Sequence, residues 1–579
     1  MTLFKNLSIL IICLIVDSSH SKTWICSNSI CLKEPISTFD HITYKSQNEC
    51  RLSCGKFGAL WPHPTGYTSI SNDRIKFDPY MIRANIIATS YETNKFTGDI
   101  NKLFQANIAN ECNNNCSIAK SPPVFLKLSI NSNSLELNWH TNESYVLLIR
   151  GSDNNIFIDV KSETVFGARH ALETLSNLIT KNVEGNGLVM VGHANISDQP
   201  QFSHRGLLID TSRHFLPVNI IKSIIIGMSI SKMNVLHWHV TDSQSFPMEF
   251  PSVPMLHTFG SYSQNEIYTH KDVKHIIELA KVRGVRVIIE IDGPSHSSSG
   301  WEWGPNYGLG NLSVCINKQP WREFCIQPPC GIINPLNPNV YDVFEKVYQD
   351  LIELIPTEET THVGGDEVFI PCWNTTEEIT QIMKKRGLGL TESSFLKIWS
   401  EFHLKNFNTW SKLKTNHVPV ILWSSQLTNP EFIESFLPKE KFIVQTWVES
   451  DKKLNSDLLN LGYKLIISTK NAWYLDHGFW GKTKFYNWNT VYDNEINNHE
   501  LVLGGEVCMW GEYVDEHSIE QKIWPRAAAA AERLWSNPST KSGLAEERFN
   551  RLRERLISRG IHPDAITPKW CELNEGQCK

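Results

Sequence analysis

From residue 205 to the C-terminus, apolar residues come in two alternating textures. Short runs dense in apolar residues occupy 205–211, 235–242, 285–292, 361–367, 418–423, 442–447, 463–469 and 504–510. Between most of them the apolar positions return every three or four residues, as over 271–283 and 341–355, the spacing of a helix with one buried face. Gly284 follows the first of these stretches, where a helix stop is expected. Eight strands alternating with helices predict an α/β fold, a (β/α)8 TIM barrel, with a long insertion at 293–335. Residues 22–200 are patterned differently. There 125–130 and part of 145–150 alternate with period two, 164–179 has helical spacing, and Gly185 and Gly187 punctuate the chain as a turn would. These features predict a small α+β domain over 22–200, followed by the barrel with a C-terminal extension over 201–579.

Polar and aromatic residues gather where the predicted strands end: Asp242, Asp292, Asp366-Glu367, Trp423, Trp447 and Trp510. In a barrel of this kind the active site lies at the C-terminal ends of the strands. One carboxylate after a strand could be merely solvated, but three acidic ends and three tryptophan ends on one face point to a ligand pocket. Within HVGGDEV (362–368) two glycines precede two adjacent carboxylates. Glycines leave space for a ligand to approach the backbone, and neighbouring residues of a strand point to opposite sides. Such a pair poorly suits the opposed acid and nucleophile of ordinary glycoside hydrolysis. It better suits two adjacent points of one sugar, the glycosidic oxygen and a group on carbon 2. Alone, the dipeptide could equally be a solvated helix cap, and each tryptophan a core residue. Their coincidence at one end favours a carbohydrate pocket.

Composition narrows the alternatives. The chain has 579 residues, 20% of them charged, and a formal net charge of −6, which argues against a nucleic-acid partner. Lys5, the apolar stretch 7–16 and the small residues Ser19 and Ser21 predict a cleaved signal peptide over 1–21. That stretch is far short of the ~20 residues needed to cross a bilayer, and no later segment is apolar enough to span one. Export makes disulfides the expected state of four local clusters: Cys26/Cys31/Cys50/Cys54, Cys112/Cys116, Cys315/Cys325/Cys330/Cys372 and Cys571/Cys578. Cys508 stands alone in a strand-like run and is expected to be a buried free thiol. Asn115, Asn142, Asn195, Asn311 and Asn374 are N-glycosylation acceptors. His237 and His239 have a spacing seen in metal-dependent barrel hydrolases, but the later runs 418–423 and 442–447 contain no histidine. Both are therefore expected to be structural, with no metal and no cofactor.

The ordered motifs HRGLLIDTSRHFLP (204–217), NVLHWHVTDSQSFP (234–247), HVGGDEV (362–368), AWYLDHG (472–478), GGEVCMWGEYVD (504–515) and WPRAAAAAERLWS (524–536) resemble the family 20 β-N-acetylhexosaminidases, particularly the animal and arthropod members. The resemblance runs from about residue 164 to the C-terminus. It implies a retaining exo-enzyme removing terminal N-acetylglucosamine or N-acetylgalactosamine from glycans or chitooligosaccharides. Glu367 would be the general acid, and Asp366 would hold the substrate's acetamido nitrogen. The acetamido oxygen would attack the anomeric carbon to give an oxazolinium, one of the exceptions to the two-carboxylate scheme. Tyr474 would hydrogen-bond that oxygen, and Trp423, Trp447 and Trp510 would wall the N-acetyl pocket. Arg205 and Glu512 would grip sugar hydroxyls. Asp242 and His296 would form a relay to Glu367, tuning it toward the working pH, although His296 could instead be structural. Trp321, in an insertion resembling a loop of insect chitin-degrading enzymes, would help bind the next sugar. Gln327 stands where that type carries glutamate, and 479–488 departs from its pattern. A homodimer and a lysosomal or extracellular location are also implied. The competing reading is a non-catalytic glycan-binding protein on the same fold.

Overall fold

A computed structural model describes residues 22–35, 45–112, 116–118, 120–182, 186–356, 360–414, 418–481 and 484–578. The expected signal segment, Gly185 and Asn115 lie outside the described residues.

Seven parallel strands form one curled sheet, in the spatial order Arg286–Glu290, Val235–His239, His204–Asp210, Val502–Met509, Leu465–Ile467, Phe442–Thr446 and Val420–Trp423. The 361–367 run lies between the two edge strands and closes the ring. His362 bridges Glu290 on one side and Ile421 on the other, both in parallel sense. Ile291 N donates to His362 O at 3.2 Å, and Ile421 N donates to Thr361 O at 3.0 Å. The expected eighth strand is thus corrected to a pair of single bridges. The backbone itself forbids more: Gly364 (φ 62°), Gly365 (φ 96°) and Glu367 (φ 52°) are left-handed and cannot continue a strand.

Side-chain alternation sorts the barrel. Leu236 and Trp238 point outward into the main core shared with the helices. Val235 points inward and meets Ile288, Ile421, Ile443 and Ile466 as a small apolar plug at the N-terminal end. Above that plug the interior is polar. His237 Nδ1 lies 2.8 Å from Glu506, His239 Nδ1 lies 2.6 Å from Glu290, and Trp423 Nε1 donates to Glu290 at 2.8 Å. The helices His270–Val282 and Pro338–Leu354 match the predicted ones within a few residues, and Gly284 takes the φ of +72° that its stop position requires.

Ahead of the barrel, six strands form a mixed sheet in the order Thr68–Ile70, His193–Asp198, Tyr145–Gly151, Ile156–Ser162, Val124–Ile130 and Ile82–Ile87. Val124, Leu126, Leu128 and Ile130 are buried beneath the helices Tyr91–Asn110 and Val165–Asn177, while Phe125 and Lys127 face outward. The second helix is buried on every side because the barrel covers its far face. The predicted cysteine clusters each resolve internally: Cys26–Cys54, Cys31–Cys50, Cys112–Cys116, Cys315–Cys372, Cys325–Cys330 and Cys571–Cys578. Cys508 is free and buried. The C-terminal loop returns to the N-terminal hairpin, where the Glu575 carboxylate accepts from Arg51 Nε and Cys31 N, each at 2.6 Å. Asn142, Asn195, Asn311 and Asn374 are exposed. Among the described residues no helix is long and apolar enough to cross a membrane.

Candidate active site

At the C-terminal ends of the strands a cavity of about 220 Å³ gathers Asp366, Glu367, Asp292, Asp242, His296 and Tyr474 with the rings of Trp447 and Trp510. Asp366 and Glu367 reach one cavity because the chain has left strand geometry there. With Glu367 at φ 52°, the alternation expected of neighbouring strand residues no longer applies. The preceding glycines are needed by protein rather than by ligand. A Cβ on Gly364 would sit 1.7 Å from Asp292 Oδ1, and one on Gly365 would sit 2.5 Å from His403 Cε1. Asp292 fills that space and accepts a hydrogen bond from Gly365 N at 2.9 Å. Ser295 Oγ donates to the Asp366 carbonyl, anchoring the turn from the neighbouring strand end.

Glu367 is the most accessible carboxylate of the group, its side chain 30% exposed. Its Oε2 lies 3.3 Å from His296 Nε2, and His296 Nδ1 lies 3.4 Å from Asp242 Oδ2. The chain Asp242–His296–Glu367 is therefore continuous. The amide of Gln327 also meets His296 Nδ1, at 3.0 Å. Burial opposes charge on His296, but Asp242 and Glu367 outweigh it and hold the imidazolium far above its usual range. Burial likewise favours neutral Glu367, yet the hydrogen bond and charge of His296 hold it below the usual carboxylate range. Both shifts favour a charged His296 beside a charged Glu367, opposite in direction to the tuning expected of the relay. Asp366 behaves oppositely. Burial first, then the charge of Asp292, raises it well above the ordinary aspartate range. Asp292 is also raised, by burial and by Glu290 against the lowering effect of His296.

Tyr474 lies beside Cys508 through a parallel bridge, with Leu475 N donating to Cys508 O at 2.8 Å. Burial, with Cys508 and Asp366 nearby, holds its phenol protonated far above the usual range. It is therefore a standing hydrogen-bond donor. Its ring lies 6.4 Å from that of Trp510. The Trp447 indole is fixed by donation to Ser424 O at 2.7 Å. Trp423 does not line the cavity: it is 1% exposed, packs 5.8 Å from Trp510, and spends its N–H on Glu290. It supports the wall from behind.

Two expected sugar contacts need correction. Arg205 begins its strand, at the end of the barrel opposite the cavity, and is fully buried. It forms a bidentate pair with Glu143 at 2.7 and 2.9 Å, joining the two domains. Arg213, unremarked in the sequence, follows the other end of that strand and lines the cavity. Its guanidinium lies 2.9 Å from Asp210, 2.7 Å from Asp242, and 5.4 Å from the Trp510 ring. Its place after the strand's C-terminal end was the signal that could have found it. Trp321 is also absent from the lining. It packs edge-on against Trp480 at 5.5 Å, and from the insertion Ile326 and Gln327 face the cavity. Glu512 does line it, with Oε2 buried and free of hydrogen bonds, and Asp476 joins it with Oδ1 equally free. Burial and the nearby Glu512 push Asp476 up to about 7.

Residues 202–538 match the family described as glycosyl hydrolase family 20, catalytic domain, and residues 60–178 match one described as beta-acetyl hexosaminidase like. The chain is 34% identical over 576 residues to the chitooligosaccharidolytic beta-N-acetylglucosaminidase of Ostrinia furnacalis, spanning 96% of this chain and 95% of that protein. It is 34% identical over 444 residues to beta-hexosaminidase subunit beta of Homo sapiens, spanning 75% and 74%. Among solved structures, the chitobiase of Flavobacterium johnsoniae has the same fold, with a TM-score of 0.68 at 24% identity over 87% of this chain and 73% of that one.

Proposed function

The chain belongs to glycosyl hydrolase family 20, and from that premise we propose how its own residues cleave a terminal N-acetylhexosamine. It is an exo-acting glycoside hydrolase of N-acetylhexosamine-terminated glycans, with chitooligosaccharides among the fitting substrates. The observation that carries the residue assignment is the turn at Glu367, which aims two adjacent carboxyls into one aromatic cavity.

The acetamido group enters between Trp447 and Trp510. Tyr474 donates to its oxygen and Asp366 accepts from its nitrogen. That oxygen attacks the anomeric carbon as the bond to the leaving oxygen breaks. Glu367, loaded from His296, delivers that one proton to the leaving oxygen and is left as a carboxylate. Asp366 stabilises the positive charge of the oxazolinium, which it can do once its own proton has passed to Asp292. A water then attacks the same carbon, Glu367 takes its proton, and the acetamido group is restored. Two displacements at one carbon retain configuration. Arg213, Glu512 and Asp476 bind the hydroxyls of the terminal sugar, with Trp480, backed by Trp321, beside the entrance.

We take 22–200 as the accessory domain and 201–579 as the catalytic unit. The end of one sheet at Asp198 and the start of the other at His204 support that division. Six disulfides support passage through an oxidising secretory compartment, with a lysosomal or extracellular destination. The homodimer implied by the family belongs to the same proposal. The test is turnover of an aryl β-N-acetylglucosaminide with NMR detection of the first-released anomer, beside the matching aryl β-glucoside. The β-anomer and no measurable glucoside cleavage are expected. An α-anomer, or glucoside cleavage at a comparable rate, overturns the reading.

A further inference from the structure

Far from the catalytic cavity, a second one of about 160 Å³ opens where the accessory domain meets the outer helices of the barrel. Its polar lining comes largely from Arg169, Arg283, Arg559, Glu173 and Ser229. Arg559 ends the helix Glu546–Ser558, and its side chain is 5% exposed. Its Nε and Nη1 are buried with no hydrogen-bond partner among the described residues. Its closest carboxylate contact is a loose one, Nη2 to Glu111 at 3.7 Å. Among the described residues Arg283 has one hydrogen bond, to the Leu279 carbonyl of its own helix at 3.1 Å, and no carboxylate within ion-pair distance.

Charge accounting leaves an excess. Arg169 and Arg555 both lean on Glu173, the first at 3.4 Å. Glu111 is shared between Arg559 and the Ser558 hydroxyl. Glu143, whose charge also acts on Arg169, is committed to Arg205 and His170. Three guanidiniums, Arg169, Arg283 and Arg559, thus line the space with one carboxylate, Glu173, which Arg555 also claims from behind. Buried donors without acceptors cost free energy, and native proteins rarely leave them so. Burial is the leading influence on Arg283 and Arg559 alike and pulls both below the usual arginine range. The cavity has the volume of roughly five waters at ~30 Å³ each, enough for one small anion with part of its hydration.

We propose that this cavity is a binding site for a small tetrahedral oxyanion, phosphate or sulfate, held by Arg559 and Arg283 and bridging the accessory domain to the barrel. Guanidinium forks match the oxygen spacing of such ions. Two negative charges would balance the excess.

The test is isothermal titration of the full mature chain with sodium phosphate, with sodium sulfate and with glucose 6-phosphate, each against sodium chloride at equal ionic strength. Saturable heat with phosphate or sulfate is expected and is absent with chloride. Glucose 6-phosphate distinguishes a free ion from the phosphoryl group of a larger ligand: weaker binding than phosphate supports the free ion, and tighter binding overturns that part of the proposal. Arg559→Gln and Arg283→Gln should each raise the dissociation constant at least tenfold, with hydrolysis of an aryl N-acetylglucosaminide unchanged. Wild-type protein alone can refute the site, through phosphate heats no different from chloride. Variants that fold and bind like wild type refute it equally.

Discussion

Gly364→Ala tests whether the two glycines serve the protein's own packing. The new Cβ would sit 1.7 Å from Asp292 Oδ1 and 2.8 Å from Asp292 Cα, at a backbone φ of +62°. The left-handed backbone costs a residue with a Cβ ~1–2 kcal/mol. Asp292 must move, losing its 2.9 Å bond from Gly365 N, and a buried hydrogen bond to a charged group is worth ~1.5–3 kcal/mol. The sum is about 2.5–5 kcal/mol, less the ~0.4–1 kcal/mol by which alanine stiffens the unfolded chain. Gly387→Ala is the control, because Gly387 has φ +71° and nothing within 4 Å of its Cβ position. Calorimetry should show a Tm loss for Gly364→Ala several times that for Gly387→Ala. kcat/KM should fall in the first variant alone, because Asp292 adjoins Asp366. Equal Tm losses, or unchanged kcat/KM in Gly364→Ala, would refute the reasoning.

Other outcomes follow from the same geometry. Asp476 is an acid whose folded pKa is raised to about 7, so its stabilising influence is present below the ordinary aspartate range and lost as pH rises toward 7. Asp476→Asn should therefore flatten the fall of Tm between pH 5 and 8, and parallel Tm curves for the two proteins contradict the claim. His296→Gln removes the raised partner that keeps the Glu367 pair singly protonated. The alkaline limb of kcat/KM should move to lower pH with kcat down ~10–100-fold, and an unshifted limb counts against the relay. Arg213→Gln should raise KM at least tenfold and, because it strands buried Asp210 and Asp242, should lower Tm as well. Arg205→Gln, which strands a buried Glu143, should lower stability by ~3–5 kcal/mol with KM nearly unchanged. Urea unfolding and steady-state kinetics on both variants decide it.

Much of this was legible in the chain, and the gaps have physical causes. Parallel strands buried on both faces are apolar throughout, so runs such as 235–242 and 285–292 mark themselves and their polar ends mark the cavity. The 361–367 run has the same texture, but its glycines impose positive φ, which a hydrophobic pattern does not encode. The two arginines of HRGLLIDTSRHFLP have the same chemistry. Only their places at the start and beyond the end of a strand separate the domain-joining Arg205 from the cavity-lining Arg213. Trp423 illustrates the other kind of gap. It ends a strand like Trp447 and Trp510, yet the Glu290 carboxylate beneath claims its N–H and draws it behind the wall. Cysteine grouping predicted the four clusters, and the fold alone decides which cysteines pair inside the two groups of four.

The central claim is the division of labour between Asp366 and Glu367, and leaving-group dependence tests it most directly. Glu367→Gln and Asp366→Asn should be compared on an aryl N-acetylglucosaminide whose phenol is a poor leaving group and on a dinitrophenyl one that departs unprotonated. Losing a general acid should cost Glu367→Gln ~10²–10⁴-fold on the first substrate and far less on the second. Asp366→Asn should be damaged on both, because formation of the oxazolinium is the step that expels either group. Equal losses on both substrates in Glu367→Gln, or recovery of Asp366→Asn on the dinitrophenyl substrate, would contradict the assignment.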